Sequence, residues 1–241
     1  PSMKRIKPFA SFIKEEESND EIREYSFEEL SPEAKNNALD ELRDINIEYS
    51  DWHEPIIEDF ESDMNENGLS DIEVSYSGFY SQGDGASFTG QVYDNKTFMK
   101  KCLELKDDEW LDMGDEEKPE DEGSRLRADL LDLGFDSREK LTPDNFSISI
   151  IRDSSRYSHE NTISGNVVIE DVPESIENEF PHDLDEYAAK LEEMVTKWAR
   201  STSKDLYRKL ERYYDNLRSD EEVKETIIGN DYKFDKDGNL K

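Results

Sequence analysis

At 241 residues the chain is long enough to bury a sizeable core, but only 33% of it is hydrophobic, and 62 Asp and Glu against 30 Lys and Arg leave a formal charge of −32. That charge repels phosphates and anionic bilayers, which argues against direct binding to nucleic acid or a membrane surface and favours a cationic partner. A lone cysteine, Cys102, excludes an internal disulfide framework, and no apolar run is long enough to span a membrane as a helix.

Such charge would ordinarily favour disorder, yet the chain holds 11 Tyr, 11 Phe and 3 Trp, mostly in periodic positions where each can bury a large area. A folded scaffold with a negative surface is therefore expected. The opening PSMKRIKPFASFIKEEE makes a poor secretion signal, because Pro8 interrupts its apolar stretch and Lys14 soon ends it. With the single cysteine, this points to the cytoplasm.

Residues 1–24 read as an extension. In SFEELSPEAKNNALDELRDINIEY, Ser31 can cap, Pro32 suits a first helical position, and Ala34, Ala38, Leu42 and Ile45 recur at helical spacing, which predicts a helix over about 32–46. DWHEPIIEDFESDMNENG predicts another, with Asp51 and Glu54 spaced as a capping box, Pro55 in the first turn and Gly68 as the stop; His53 is expected beside Trp52 at its start. The period then changes to 2. Val74, Tyr76 and Tyr80, then Phe88 and Val92, alternate with polar residues as in a hairpin, and a short helix is expected over about Lys96–Leu105.

The stretch 107–123 reads as an acidic loop, with ten carboxylates and one lysine between Asp107 and Glu122. Ser124 to Leu133 has helical spacing. NFSISIIRD and NTISGNVVIED predict a second hairpin, with DSSRYSHE between them. Leu184, Tyr187, Leu191, Met194, Trp198, Leu206, Leu210, Tyr213 and Leu217 then line one drifting stripe, either of one long helix or of two stacked ones. Ser219 and Glu222 open a further helix, and DYKFDKDGNLK ends in a short strand and a turn. The expected class is α+β: an antiparallel sheet built from two hairpins, packed with N-terminal and long C-terminal helices in a single domain over 25–241.

Two places could carry recognition. Gln82-Gly83-Asp84-Gly85 is first a hairpin turn, since glycines supply positive φ. The same glycines would let a ligand approach the backbone, with Gln82, Asp84 and Ser87 supplying polar ends. If both hairpins share a sheet, Tyr157 and His159 of the second loop lie near, and His159 with Asp84 could form an acid–base pair. The other place is the set Asp107, Asp108, Glu109, Asp112, Asp115, Glu116, Glu117, Glu120, Asp121 and Glu122, a candidate surface for a basic partner. Rows such as Glu54, Glu58 and Glu61 add to it, because carboxylates at this helical spacing lie roughly 5–6 Å apart.

Neither a metal nor a cofactor is expected. Asp235-Lys236-Asp237-Gly238-Asn239 resembles part of a calcium loop but has no distal glutamate after it, and three scattered histidines give no zinc spacing. GxxxxGK[ST], GxSxG and HExxH are all absent, and no catalytic residue stands out.

Three blocks taken in order, YSFEELSPEAKNNAL, SGFYSQGDGASFTG and LYRKLERYYDNLRSDEEVKETIIGNDYKFDKDGN, resemble an uncharacterised family of bacteriophage and prophage proteins. The likeness runs from about Tyr25 to the end, and SQGDGASF is its most specific part. Some members carry an antitoxin-like label. The resemblance implies a phage origin and action in the cytoplasm of an infected bacterium. With the charge, it leads to the expectation of an acidic protein that binds and inhibits a basic host protein, a defence or nucleic-acid-processing enzyme, by nucleic-acid mimicry. The alternatives are a small-ligand binder or enzyme using the hairpin loops, or an antitoxin.

Overall fold

The computed structural model describes residues 23–48, 51–103, 143–154, 156–172 and 181–241. The expected acidic loop, with all ten of its carboxylates, and the expected helix over 124–133 lie outside the described residues. The chain divides into two compact units, Pro1–His53 with Arg212–Lys241, and Glu54–Glu211. The described residues form five α-helices, a two-stranded ladder and a four-stranded antiparallel sheet, an α+β fold with a long C-terminal helix.

In the smaller unit, β1 (Tyr25–Ser26) pairs antiparallel with β6 (Lys233–Phe234), which brings Phe27 and Phe234 edge to face at 6.4 Å. Helix α1 (Pro32–Glu41) starts where the sequence predicts: the Ser31 hydroxyl accepts the Ala34 N–H at 3.2 Å. It stops five residues early. Residues 42–47 continue as hydrogen-bonded turns, because Asp44, Ile45, Asn46 and Ile47 are all weak helix formers.

Their side chains find other partners instead. Asn46 donates to the Leu217 carbonyl, Arg218 pairs with Asp44, and Arg43 bridges Asp40 and Asp220. Helix α5 (Asp220–Gly229) is capped by Ser219, whose hydroxyl accepts the Glu222 N–H, and it buries Val223 and Ile227 against Ala34, Ala38 and Phe234. Gly238 has no alternative, since a Cβ there would stand 2.1 Å from the Ala34 carbonyl oxygen. The calcium-like stretch is a plain turn: the Asp235 carboxylate accepts from the Asn239 side-chain amide and from the Asn239 and Asp237 N–H groups, which holds its pKa below the usual range.

The larger unit is built on the two predicted hairpins. Strand β2 (Leu69–Tyr76) pairs with β3 (Ala86–Val92), and β4 (Phe146–Arg152) with β5 (Ile163–Ile169). The order β2-β3-β4-β5 joins both in one antiparallel sheet. One face buries Phe88, Ile148, Ile150 and Val167 beneath helices α2 (Glu54–Glu66), α3 (Asn95–Cys102) and α4 (Pro181–Leu217). Asp94 caps α3, accepting from the Thr97 N–H and hydroxyl.

The C-terminal stripe is one helix of 37 residues, about 55 Å long at 1.5 Å per residue. The Ser201-Thr202-Ser203 run does not break it, because packing on both sides of the run outweighs weak local propensity. Leu191, Val195 and Ala199 precede the run in the core, and Leu206 and Leu210 follow it. Trp198 stands edge-on to both Phe88 and Phe98, at 6.1 and 5.0 Å.

Seating is closest at Gly165. A Cβ there would lie 2.7 Å from the Val195 side chain and 3.0 Å from the Glu192 carbonyl oxygen. Gly165 N–H donates to Thr196 Oγ1 at 2.8 Å, and Arg200 Nε donates to the Ile163 carbonyl at 3.1 Å. Residues four apart on the helix thus satisfy groups two apart on the edge strand, which covers that part of the open sheet edge. Gly165→Ala is expected to destabilise the protein by about 1–3 kcal/mol through overpacking, with Val195→Ala recovering part of the loss when added. Chemical denaturation of the two single variants and the double variant checks this coupling.

Candidate functional site

The connection between β2 and β3 is longer than a tight turn and runs from Ser77 to Gly85. Its ends are clamped by Ser77 N–H to the Gly85 carbonyl and by Gly85 N–H to the Ser77 hydroxyl, both at 3.0 Å. At its tip Asp84 N–H donates to the Ser81 carbonyl while the Asp84 carboxylate accepts the Ser81 N–H at 2.7 Å, and Gly83 takes a φ of 92°. Asp84 is therefore first a turn-former. Phe79 fixes the middle of the loop, with its ring 5.4 Å from Tyr207 of α4 and 6.4 Å from Tyr76, and the Tyr207 hydroxyl donates to the Gly78 carbonyl.

The second connection folds back through Asp153 N–H to the Thr162 carbonyl and Thr162 N–H to the His159 carbonyl. Because β3 and β4 are neighbours, the two tips meet. A Cβ on Gly85 would come within 3.0 Å of His159 Cα and Cδ2, and one on Gly83 within 3.8 Å of the Tyr157 ring. Gln82, Gly83, Tyr157, His159, Asn161 and Thr162 line an open cleft of about 450 Å³ between them. Arg156 caps the Tyr157 side, its guanidinium donating to the phenol oxygen at 2.8 Å.

The expected residues thus sort into two places. Gln82, Tyr157 and His159 share the cleft, with Asp84 in the turn beside it. Ser87 does not join them, because it lies in β3, where alternation turns it onto the sheet face opposite Ser75. The carboxylate next to His159 is that of Glu160, 3.0 Å from Nδ1, and the same nitrogen accepts the Asn161 N–H at 3.2 Å. Nδ1 cannot serve both at once: without a proton it accepts from Asn161, whereas carrying one it donates to Glu160.

Tyr207, Phe79 and Asn161 are the cleft's supporting groups that sequence reasoning missed. Tyr207 follows Leu206 of the stripe, and only the drift of a long helix past the sheet end reveals that it turns toward the loop. Cys102 offers no nucleophile, since burial pushes its thiol up to about 12. Among the described residues no group of three or more His, Cys, Asp or Glu is placed to hold a metal ion.

The residues define an α+β sheet protein with a polar cleft, walled on one side by Tyr157, at one end of its sheet. Residues 52–220 match the model of a domain of unknown function, DUF8835, and the chain belongs to that family. No curated protein and no solved structure matches the chain. No helix among the described residues is long and apolar enough to cross a membrane.

Burial raises the Tyr207 pKa, and the negative charges of Asp84, Glu211 and Glu160 raise it further. In the fold the phenol therefore keeps its proton above the unfolded value near 10. The unfolded chain loses that proton first as pH rises, so this group's contribution is intact below about pH 10 and lost above it. Tyr207→Phe is expected to remove a late phase from the ultraviolet phenolate titration. Asp84→Asn should move that phase to lower pH, and an unmoved phase would place the carboxylate's field elsewhere.

Proposed function

We propose that the chain is a phage-encoded acidic protein that acts in the cytoplasm of an infected bacterium. In this reading it binds and inhibits a basic host protein, a defence or nucleic-acid-processing enzyme, by presenting carboxylates where that enzyme receives phosphates. The observation that carries the proposal is the arrangement of charge on α2. Phe60 and Met64 are buried and fix the helix, which leaves Glu54, Glu58 and Glu61 as one row and Asp59, Asp63 and Glu66 as another. Neighbours in each row are roughly 5–6 Å apart.

Among the described residues few cations answer them. Lys209 stands 3.8 Å from Asp63, and the Lys101 ammonium bonds the Glu66 carbonyl instead of its carboxylate. With a formal charge of −32 behind it, a row held by a rigid helix steers a basic groove at long range and excludes its polyanionic substrate. Likeness to phage and prophage proteins supports an intracellular host target. The full chain, purified from infected cells, should retain a basic protein whose nucleic-acid binding it blocks.

Affinity should fall steeply with salt, by at least tenfold between about 0.05 and 0.2 M, where screening lengths shorten toward 8 Å. Combining Glu54→Gln, Glu58→Gln, Asp59→Asn and Asp63→Asn should weaken binding and flatten that dependence. A partner held equally well at high salt and by the four-site variant would refute electrostatic docking.

The cleft favours a second reading, in which the hairpin ends bind a small planar polar molecule. Tyr157 supplies a π-face, and Gln82 and Asn161 supply amide donors and acceptors. Tyr157→Ala and His159→Ala should each lower affinity for a co-purifying small molecule by about tenfold or more, with circular dichroism unchanged. Unaltered retention of that molecule in both variants would return the loops to a purely structural role.

A further inference from the structure

A smaller pocket of about 160 Å³ lies on the sheet face that carries Ser75 and Ser87, away from the hairpin tips. Its floor is two successive cross-strand pairs, Ser75 with Ser87 and Glu73 with Thr89. Phe88 and Arg152, the latter from the end of β4 on the far side of β3, also line it, although strand alternation gives both of them the parity of the core face.

Three features set it apart from an ordinary polar sheet face. Ser87 is fully buried and its Oγ has no hydrogen-bond partner, whereas Ser149 on the same sheet is reached by Asn166 Nδ2. A buried hydroxyl left unpaired costs about 1–3 kcal/mol, so it marks a place where a partner belongs. Among the described residues, Glu73 and Arg152 line one pocket with opposite charge and yet form no ion pair with each other. The hydroxyls of Ser75 and Thr89 belong to the same lining and can donate or accept.

We infer that this pocket binds a small zwitterion, a free amino acid with a short side chain. Its carboxylate is received by the Arg152 guanidinium, its ammonium by the Glu73 carboxylate, and a carboxylate oxygen takes the Ser87 hydroxyl. The volume is that of about five waters at ~30 Å³ each, which admits a molecule of this size and excludes a nucleotide. The two charges, both on exposed residues, are supplied from β2 and β4, on either side of β3, so a ligand that carries both signs can engage both walls at once. A monoanion or a monocation leaves one of them unanswered. This inference is independent of partner binding through α2 and of the cleft at the hairpin ends.

The test uses the full chain and isothermal titration with glycine, L-alanine, L-serine and L-threonine, alongside acetate and methylammonium as single-charge halves. At least one of the amino acids should bind and raise the melting temperature, at least tenfold more tightly than either half. Arg152→Gln and Glu73→Gln should each weaken that binding tenfold or more. Ser87→Ala should weaken it as well while leaving the unliganded protein equally or more stable, because the orphan hydroxyl is gone; a serine needed only for packing would lower stability without touching affinity. The inference is overturned if none of the four amino acids binds, if acetate binds as tightly as they do, or if both charge-removing variants bind like the parent chain.

Discussion

Everything that brings chemistry together in the larger unit depends on how closely α4 sits on the edge strand β5. At Gly165 the helix approaches the strand with no room for a methyl group, and Thr196 and Arg200 take over the outward-facing groups that a neighbouring strand would otherwise bond. The match is geometric, one helical turn against two strand residues, so the helix can neither slide nor rotate without losing both bonds. Because α4 is one continuous helix, the same seat fixes where Tyr207 arrives, and Tyr207 in turn holds the Gly78 carbonyl and the Phe79 ring. A contact at β5 therefore sets the position of a loop between β2 and β3. The cleft at the hairpin ends is preorganised by the sheet order on one side and by this helix on the other.

The charge makes the seat more than a packing detail. A chain with a formal charge of −32 works against its own compaction, and its apolar fraction of 33% leaves little surplus to oppose that repulsion. The aromatic residues resolve the conflict by concentrating burial: Trp198 alone bridges Phe88 on the sheet and Phe98 on α3, and Phe60 meets Phe88 at 5.1 Å. These rings join the sheet to α2, α3 and α4 within a mostly aliphatic core, and the exposed positions of α2 are left for carboxylates. Some of the cations are placed against backbone as well as, or instead of, charge. Lys101 bonds the Glu66 carbonyl, Arg200 bonds Ile163, and Arg43 adds the Arg218 carbonyl to its two aspartates.

Signals that act over a few residues were legible in the sequence. Ser31 with Pro32, and Ser219 with Glu222, locate helix starts because a cap is a local hydrogen bond, and period-2 alternation locates all four long strands. The early end of α1 was less so, since Asn46 and Arg218 leave local structure for partners more than 170 positions away. Tyr157 and His159 beside Gly83 and Gly85 required the β3–β4 neighbourhood, for which a sequence offers no register. Ser87 shows a different kind of miss. Its place in the alternation already turned it away from the loop, but its nearness in sequence to Asp84 outweighed a parity that was plain to count. His159 and Glu160 show the same effect, for the adjacent carboxylate reached the ring first.

Two serines in the larger unit, Ser87 and Ser203, hide hydroxyls with no partner, and the backbone around them gives those hydroxyls different meanings. In a helix, a serine side chain can turn to the carbonyl of the preceding turn, so Ser203 on α4 has a local acceptor within a small rotation. On an extended strand the nearby carbonyls point along the sheet to neighbouring strands, and the side chain of Ser87 stands roughly perpendicular to them. Its Oγ has no comparable local remedy. Its cross-strand partner is another serine, yet no hydrogen bond reaches the Ser87 hydroxyl from it, and the next pair on that face adds Thr89 and the Glu73 carboxylate. That sheet face gathers the hydroxyls of Ser75, Ser87 and Thr89 beside the Glu73 carboxylate. Water alone would favour exposing Ser87, and the fold instead buries it completely.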